Sequence, residues 1–65
     1  MIQLIVKPIR FPRNTIRMGW KNPHLVELSL EGKQVLESDE MELEDAASLA
    51  EKISRELNVA VIQEK

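Results

Sequence analysis

Apolar side chains form one short run and two alternating stretches in the first half of this chain, a pattern typical of β-strands. The run covers residues 2–6, and the alternating stretches cover residues 15–21 and 25–31. Pro8 and Pro12 each remove a backbone hydrogen-bond donor and favour extended geometry in the residue before them. The pattern therefore predicts a strand, a basic loop and then two further strands.

The two alternating stretches are expected to pair as a hairpin, because one register puts their apolar side chains on a common face. Asn22 and Pro23 supply the turn signal between them. The expected opposite pairs are Trp20 with Val26, Met18 with Leu28, and Ile16 with Leu30. A shift of one residue would mix apolar and polar faces, so the register is well defined by the pattern.

A second hairpin is indicated by Gly32 and Lys33, because a two-residue loop that begins with Gly is typical of a type II′ turn. The strand after this turn is predicted over residues 34–37. The period of the apolar positions then changes from two to three and four residues, which indicates an amphipathic helix from about 44–57. Its apolar positions are Leu43, Ala46, Ala50, Ile53 and Leu57.

The ends of this helix carry the residues that helix ends favour. Glu44 and Asp45 lie at its start and Arg55 lies near its end, which complements the helix dipole. Asn58 is suited to end the helix, since Asn tolerates the left-handed conformation. A last strand is predicted over residues 59–62.

These elements predict an α+β fold in a single small domain over residues 1–65. A mostly antiparallel sheet of four to five strands carries one helix on one face, in the order β-loop-β-β-β-α-β. The helix is expected to cover the apolar hairpin face, with Ile5 and Val61 completing that layer. The other sheet face is then left with more apolar groups than solvent exposure favours. A possible dimer face is therefore predicted at Leu4, Leu25 and Leu36.

Charge is distributed unevenly along the chain. Residues 1–23 hold five of the nine basic groups and no acid, whereas residues 24–65 hold four basic groups and all eleven acids. The two parts therefore have formal charges of +5 and −7, which agree with the net charge of −2. Such asymmetry favours contact with an acidic partner or with a second copy.

Catalytic and cofactor chemistry finds no support in the residue types. The chain has no cysteine, which excludes disulfides, thiol catalysis and Cys-based metal sites. His24 is the single histidine, and a solvated turn position is expected for it. Neither glycine belongs to a phosphate-binding loop, and the acids of residues 37–45 lack the spacing of a calcium loop. We therefore expect no enzyme activity, no cofactor and no metal site.

The basic segment is the candidate partner-binding site, with Lys7, Arg10, Phe11, Arg13, Arg17 and Lys21 as its residues. The expected function is a non-catalytic protein-interaction module, self-associating as a homodimer and presenting this segment to an acidic partner. No long apolar span is present, so we do not expect a membrane role. We expect a cytoplasmic location.

Two alternatives remain open. In the first, residues 7–21 bind nucleic acid, with basic groups on phosphates and an aromatic ring on a base. A sequence pI of about 5.3 argues against this reading, as does the placement of Trp20 on the apolar face. In the second, the chain is an accessory subunit of an enzyme.

Overall fold

The computed structural model describes residues 1–10 and 19–64, and contains a sheet of five strands with one helix packed against it. The elements in chain order are β1 (Ile2–Pro8), β2 (Pro23–Leu30), β3 (Lys33–Glu37), β4 (Met41–Glu42), α1 (Leu43–Leu57) and β5 (Val61–Gln63). The predicted α+β class and element order are confirmed.

The sheet is mixed, with strand order β3-β2-β1-β5. β1 runs antiparallel to β2, with Leu4 opposite Leu28 and Val6 opposite Val26. β5 is parallel to β1, and the short β4 pairs with the beginning of β2. β1 and β2 are therefore the central strands, and β3 and β5 lie at the edges.

The predicted pairing of residues 15–21 with residues 25–31 is wrong. β1 occupies one side of β2 from His24 to Leu30, and β3 occupies the other side from Glu27 to Leu30. Residues 15–18, with Ile16 and Met18, lie outside the described residues, and residues 19–21 are not in a strand. The physical reason is that β1 offers β2 an equally apolar face over a longer ladder, which outweighs closeness in sequence.

The core lies between α1 and the two central strands. Its fully or almost fully buried members are Leu4, Val6, Val26, Ala46 and Ala50. The small side chains of the two alanines let the helix backbone approach the sheet closely. Leu28, Met41, Leu43, Leu49, Ile53 and Val59 are partly buried and pack around this centre.

The two faces of β1 are the reverse of those predicted. Leu4 and Val6 face the helix, with 0% and 1% of their surface exposed, while Ile5 lies between them on the opposite face. The alternation predicted for β2 is confirmed for Val26 and Leu28, which belong to the core layer. Glu27 and Ser29 lie on the other face as expected, but they are buried rather than solvated.

The turn between β2 and β3 lies one residue earlier than predicted. Leu30 pairs with Lys33, so the two loop residues are Glu31 and Gly32, with φ of 55° and 81°. Positive φ at both positions is the geometry of a type I′ turn rather than type II′. The register shifts between Leu28 and Ser29, which leaves Val35 as the extra residue of a β-bulge.

The helix is almost the one predicted, and it ends as predicted. α1 begins at Leu43 and Asn58 follows its last residue in the left-handed conformation, with φ 56° and ψ 47°. The N–H groups of Asn58 and Val59 both donate to the carbonyl of Ser54, whose hydroxyl donates to the carbonyl of Val59. These bonds satisfy groups that a helix end leaves free, so the chain turns sharply into β5.

Candidate interaction surface

An apolar groove lies between α1 and the edge strand β3. Its floor is formed by Leu4, Val26 and Leu28 of the central strands. One wall is the helix, and the other is the end of β3 with Ser38. The groove has a volume of about 540 Å³, and its apolar wall residues are Leu36, Leu49, Ile53 and Leu57. We call this feature the α1/β3 groove.

The groove exists because one helix is too narrow for this sheet. A helix with its side chains is roughly 10 Å wide, and neighbouring strands lie about 4.8 Å apart. One helix therefore covers about two strands, and α1 lies over β1 and β2. All five residues of β3 are exposed. The helix side of β3, where Leu36 lies, is thus left uncovered.

The size of the helix side chains explains where the groove opens. Ala46 and Ala50 point into the sheet and are buried, whereas the larger Leu49 and Ile53 flank them and remain partly accessible. Large residues on one side of a small-residue stripe are a sequence signal for such a flank. The groove was not predicted from the sequence, because every apolar position of the helix was expected to lie in the core.

Charged residues border the groove. Lys52 and Glu56 lie on the helix side, and Glu37 lies at the end of β3. Glu37 accepts a hydrogen bond from the Gln34 side chain at 3.0 Å. On the outward face of the helix, Arg55 and Glu51 form an ion pair at 2.8 Å. The border therefore combines one basic and two acidic groups around an apolar centre.

The predicted dimer face is not a single surface. Leu4 is fully buried beneath the helix, so it cannot contact a partner without unfolding. Leu25 is half-buried on the sheet face away from the helix, next to Lys7. Leu36 is 63% exposed at the groove and pairs with Leu28 on the helix side. Only Leu36 of the three belongs to the apolar surface that the structure exposes there.

The sheet face away from the helix carries a polar cluster. The ammonium of Lys7 lies 3.6 Å from Oε1 of Glu27, whose side chain is 10% exposed. The hydroxyl of Ser29 donates to Oε2 of the same carboxylate at 3.4 Å. Part of the charge asymmetry is therefore neutralised inside the molecule. A second depression of about 430 Å³, lined in part by Lys7, Arg10 and Glu64, lies on this face.

The predicted basic site is only partly within the described residues. Phe11, Arg13 and Arg17 lie outside them. Lys7 is half-buried and paired with Glu27, while Arg10 and Lys21 are exposed. Trp20 is half-buried and lies before β2 rather than within a strand.

His24 is not the solvated turn residue expected from its neighbours. It lies within β2, with 9% of its surface exposed, between Pro8 and Met41 of the adjacent strands. Its Nδ1 lies 2.8 Å from the carbonyl oxygen of Asn22. Because a carbonyl only accepts, this nitrogen carries the proton. The side chain thus links β2 to the preceding turn, which indicates a structural role.

Residues 1–10 and 19–64 contain neither a candidate metal site nor a candidate membrane-spanning helix. Within these ranges, no three His, Cys, Asp or Glu side chains are grouped closely enough to hold a metal ion. No helix in the same ranges is long and apolar enough to cross a membrane.

Comparison of the chain with models of protein families, with curated proteins and with solved structures finds no match in any of the three.

Proposed function

We propose that this chain is a non-catalytic protein-interaction module that associates with a second copy through the α1/β3 groove. The observation that carries the proposal is the groove itself, because it brings five partly or fully exposed aliphatic side chains together over a floor that includes the buried Leu4 and Val26. Exposed apolar surfaces that are bordered by polar groups, as this one is by Lys52, Glu56 and Glu37, are common sites of contact with protein partners.

Two of the groove residues and the neighbouring Val35 are strongly exposed apolar side chains. Leu36 is 63% exposed, Val35 is 56% exposed and Leu57 is 43% exposed. β3 is also an edge strand, so one side of its backbone has no neighbouring strand in the sheet. An edge with exposed apolar residues favours contact with another chain. These features support a protein as the occupant.

The exposed Arg10 and Lys21 support a second contact as part of the same proposal. These cations flank the beginning of β2. They would attract an acidic protein partner through long-range electrostatics rather than through buried area. We place the module in the cytoplasm, where a chain without cysteines needs no oxidising compartment.

Sedimentation analysis of the Leu36→Lys variant tests the groove as the association surface. The protein is expected to shift from monomer to dimer as its concentration rises from micromolar to millimolar. Leu36→Lys should remain folded, because the side chain is already exposed, and should remain monomeric. Ile62→Lys is the matched control, since Ile62 is 43% exposed on the edge strand β5, outside the groove.

Dimerisation of Ile62→Lys with loss of the dimer in Leu36→Lys supports the proposal. A protein that stays monomeric over the whole concentration range contradicts self-association. Equal dimerisation of Leu36→Lys and the unchanged protein contradicts the assignment of the groove.

A further inference from the structure

We infer that the α1 helices of two copies pack antiparallel along their grooves, about a twofold axis close to Ile53. The inference rests on the proposed self-association and specifies its geometry. The partner that occupies the groove is then a second copy of this chain, and the helix edge that borders the groove is the part of that copy that enters it.

The spacing of the apolar wall residues is symmetric about Ile53. Leu49 lies four residues before it and Leu57 four residues after it, on the helix side that lines the groove. An antiparallel copy therefore places Leu49 against Leu57 of the partner subunit, while the two Ile53 side chains meet at the axis. A twofold interface requires such self-complementary positions, because each contact occurs twice.

The charges on the helix edge are complementary in the same arrangement. Lys52 and Glu56 lie one turn apart and both border the groove. With the axis at Ile53, Lys52 of each copy lies about 3 Å along the helix from the level of Glu56 of the partner subunit, which gives two intersubunit ion pairs. The partner's Lys52 lies at the same offset, so two attractions act against one repulsion. Opposite charges at these positions also disfavour the parallel arrangement, in which like charges would meet.

Neither charge is engaged within one copy in the way that its neighbours are. Glu51 forms an ion pair with Arg55. Within the described residues, 1–10 and 19–64, Lys52 and Glu56 form no ion pair. The Glu51–Arg55 pair lies on the outward face of α1 and does not line the groove. The Lys52/Glu56 pair and the Glu51/Arg55 pair thus have the same spacing on the helix, but only Lys52 and Glu56 border the groove.

The edge strand supplies the remaining surface. A stable dimer buries about 800 Å² on each partner, which is roughly a sixth of the 5149 Å² surface of one copy. The helix edge alone is too narrow for that area. Leu36 lines the groove and is 63% exposed, so the partner helix would cover this side chain of β3 as well.

Mixing two charge-reversed variants tests this geometry. In a dimer of Lys52→Glu, positions 52 and 56 of both copies carry carboxylates, so the four groups repel one another. In a dimer of Glu56→Lys, the same four positions carry ammonium groups and also repel. Each variant alone should self-associate about tenfold more weakly than the unchanged protein. An equimolar mixture should form a heterodimer, because every opposed pair is then attractive. Sedimentation and native mass spectrometry of the mixture measure the effect.

The outward pair provides the matched control. Glu51→Lys and Arg55→Glu reverse charges with the same spacing on the same helix, and both lie away from the groove. These variants should dimerise like the unchanged protein, and their mixture should show no preference for the heterodimer. Circular dichroism of all four variants checks that the helix content is retained.

The outcomes separate the geometry from the proposed function. Preferential heterodimers of Lys52→Glu with Glu56→Lys, absent in the control pair, support the antiparallel arrangement. If the unchanged protein dimerises and the mixture forms no preferred heterodimer, the antiparallel geometry is wrong while self-association stands. If the unchanged protein is monomeric at every concentration, both proposals are wrong.

Discussion

Leu4 shows how strongly one position in this small core affects stability. It is fully buried, and it also forms part of the groove floor. Leu4→Ala should lower the free energy of unfolding by about 2–5 kcal/mol, because it removes buried methyl groups and leaves a cavity. Urea denaturation followed by circular dichroism measures this change.

Leu36→Ala is the control for this prediction, since the same residue type is 63% exposed there. At low protein concentration, where the monomer dominates, it should change the free energy of unfolding by less than about 0.5 kcal/mol. Equal effects of the two substitutions would contradict the assignment of Leu4 to the core.

The faces of β1 could have been predicted correctly from its residues. Gln3 and Lys7 are polar and Leu4 and Val6 lie between them, so alternation alone places the latter pair in the core. The expected hairpin of residues 15–21 and 25–31 was placed against the helix instead. Leu4 and Val6 were therefore expected on the sheet face away from the helix. Ile5 made the error possible, because an apolar residue on each face weakens the alternation.

The burial of Glu27 is a different kind of discrepancy. A glutamate between Val26 and Leu28 predicts a solvated position on the outer face. The structure gives the carboxylate a lysine from β1, which is a contact between residues far apart in sequence. No local pattern contains the information that Lys7 would lie next to Glu27 on that face.

At the scale of elements, the β2–β3 turn offers a way to stabilise the fold. Glu31 has a φ of 55° and precedes Gly32 with a φ of 81°. Asn adopts positive φ more readily than Glu, and Asn-Gly is the preferred pair for a type I′ turn. Glu31→Asn should therefore raise the free energy of unfolding by about 0.5–1 kcal/mol. Thermal and urea denaturation measure the change.

The substitution also removes the contact between Glu31 and the amino group of Met1 at 3.6 Å. Both groups are highly exposed, so this loss is expected to be small. Glu31→Gln is the control, since it removes the same charge without improving the turn conformation. A stability gain in Glu31→Gln that equals the gain in Glu31→Asn would contradict the explanation by backbone geometry.

The helix was predicted almost completely and the strand pairing was not, and the difference has a physical cause. The limits of α1 depend on local features, namely the period of its apolar positions and the tolerance of Asn58 for the left-handed conformation. Strand pairing depends on competition between distant segments for the two sides of β2. The β3 wall of the groove could not be predicted for the same reason, because it depends on which strand becomes the edge.

At the scale of the whole molecule, the charge asymmetry leads to a prediction about partners. An acidic peptide should shift the amide NMR signals around Arg10 and Lys21 in low salt, and the shifts should shrink as salt is added. Short single- and double-stranded oligonucleotides should produce no shifts at physiological salt, because the molecule has a net charge of −2 and an internally paired Lys7.

Arg10→Glu is the control for the peptide titration and should reduce the shifts. Oligonucleotide shifts confined to residues 7–24 and weakened by salt would contradict the protein-partner assignment. They would make nucleic-acid binding the better description of the basic segment.

The parallel pairing of β1 with β5 has a consequence for the time order of folding. Leu4 pairs with Val61, 57 positions later in the chain, although β1 is a central strand of the sheet. Closing so large a loop costs conformational entropy before the pairing contributes any stability, and such non-local contacts slow folding. On the ribosome, β1 and β2 can meet early, but one side of β1 must wait until β5 has been made. During that interval its open backbone can pair with the wrong strand, so the speed of synthesis bears on the yield of correctly folded protein.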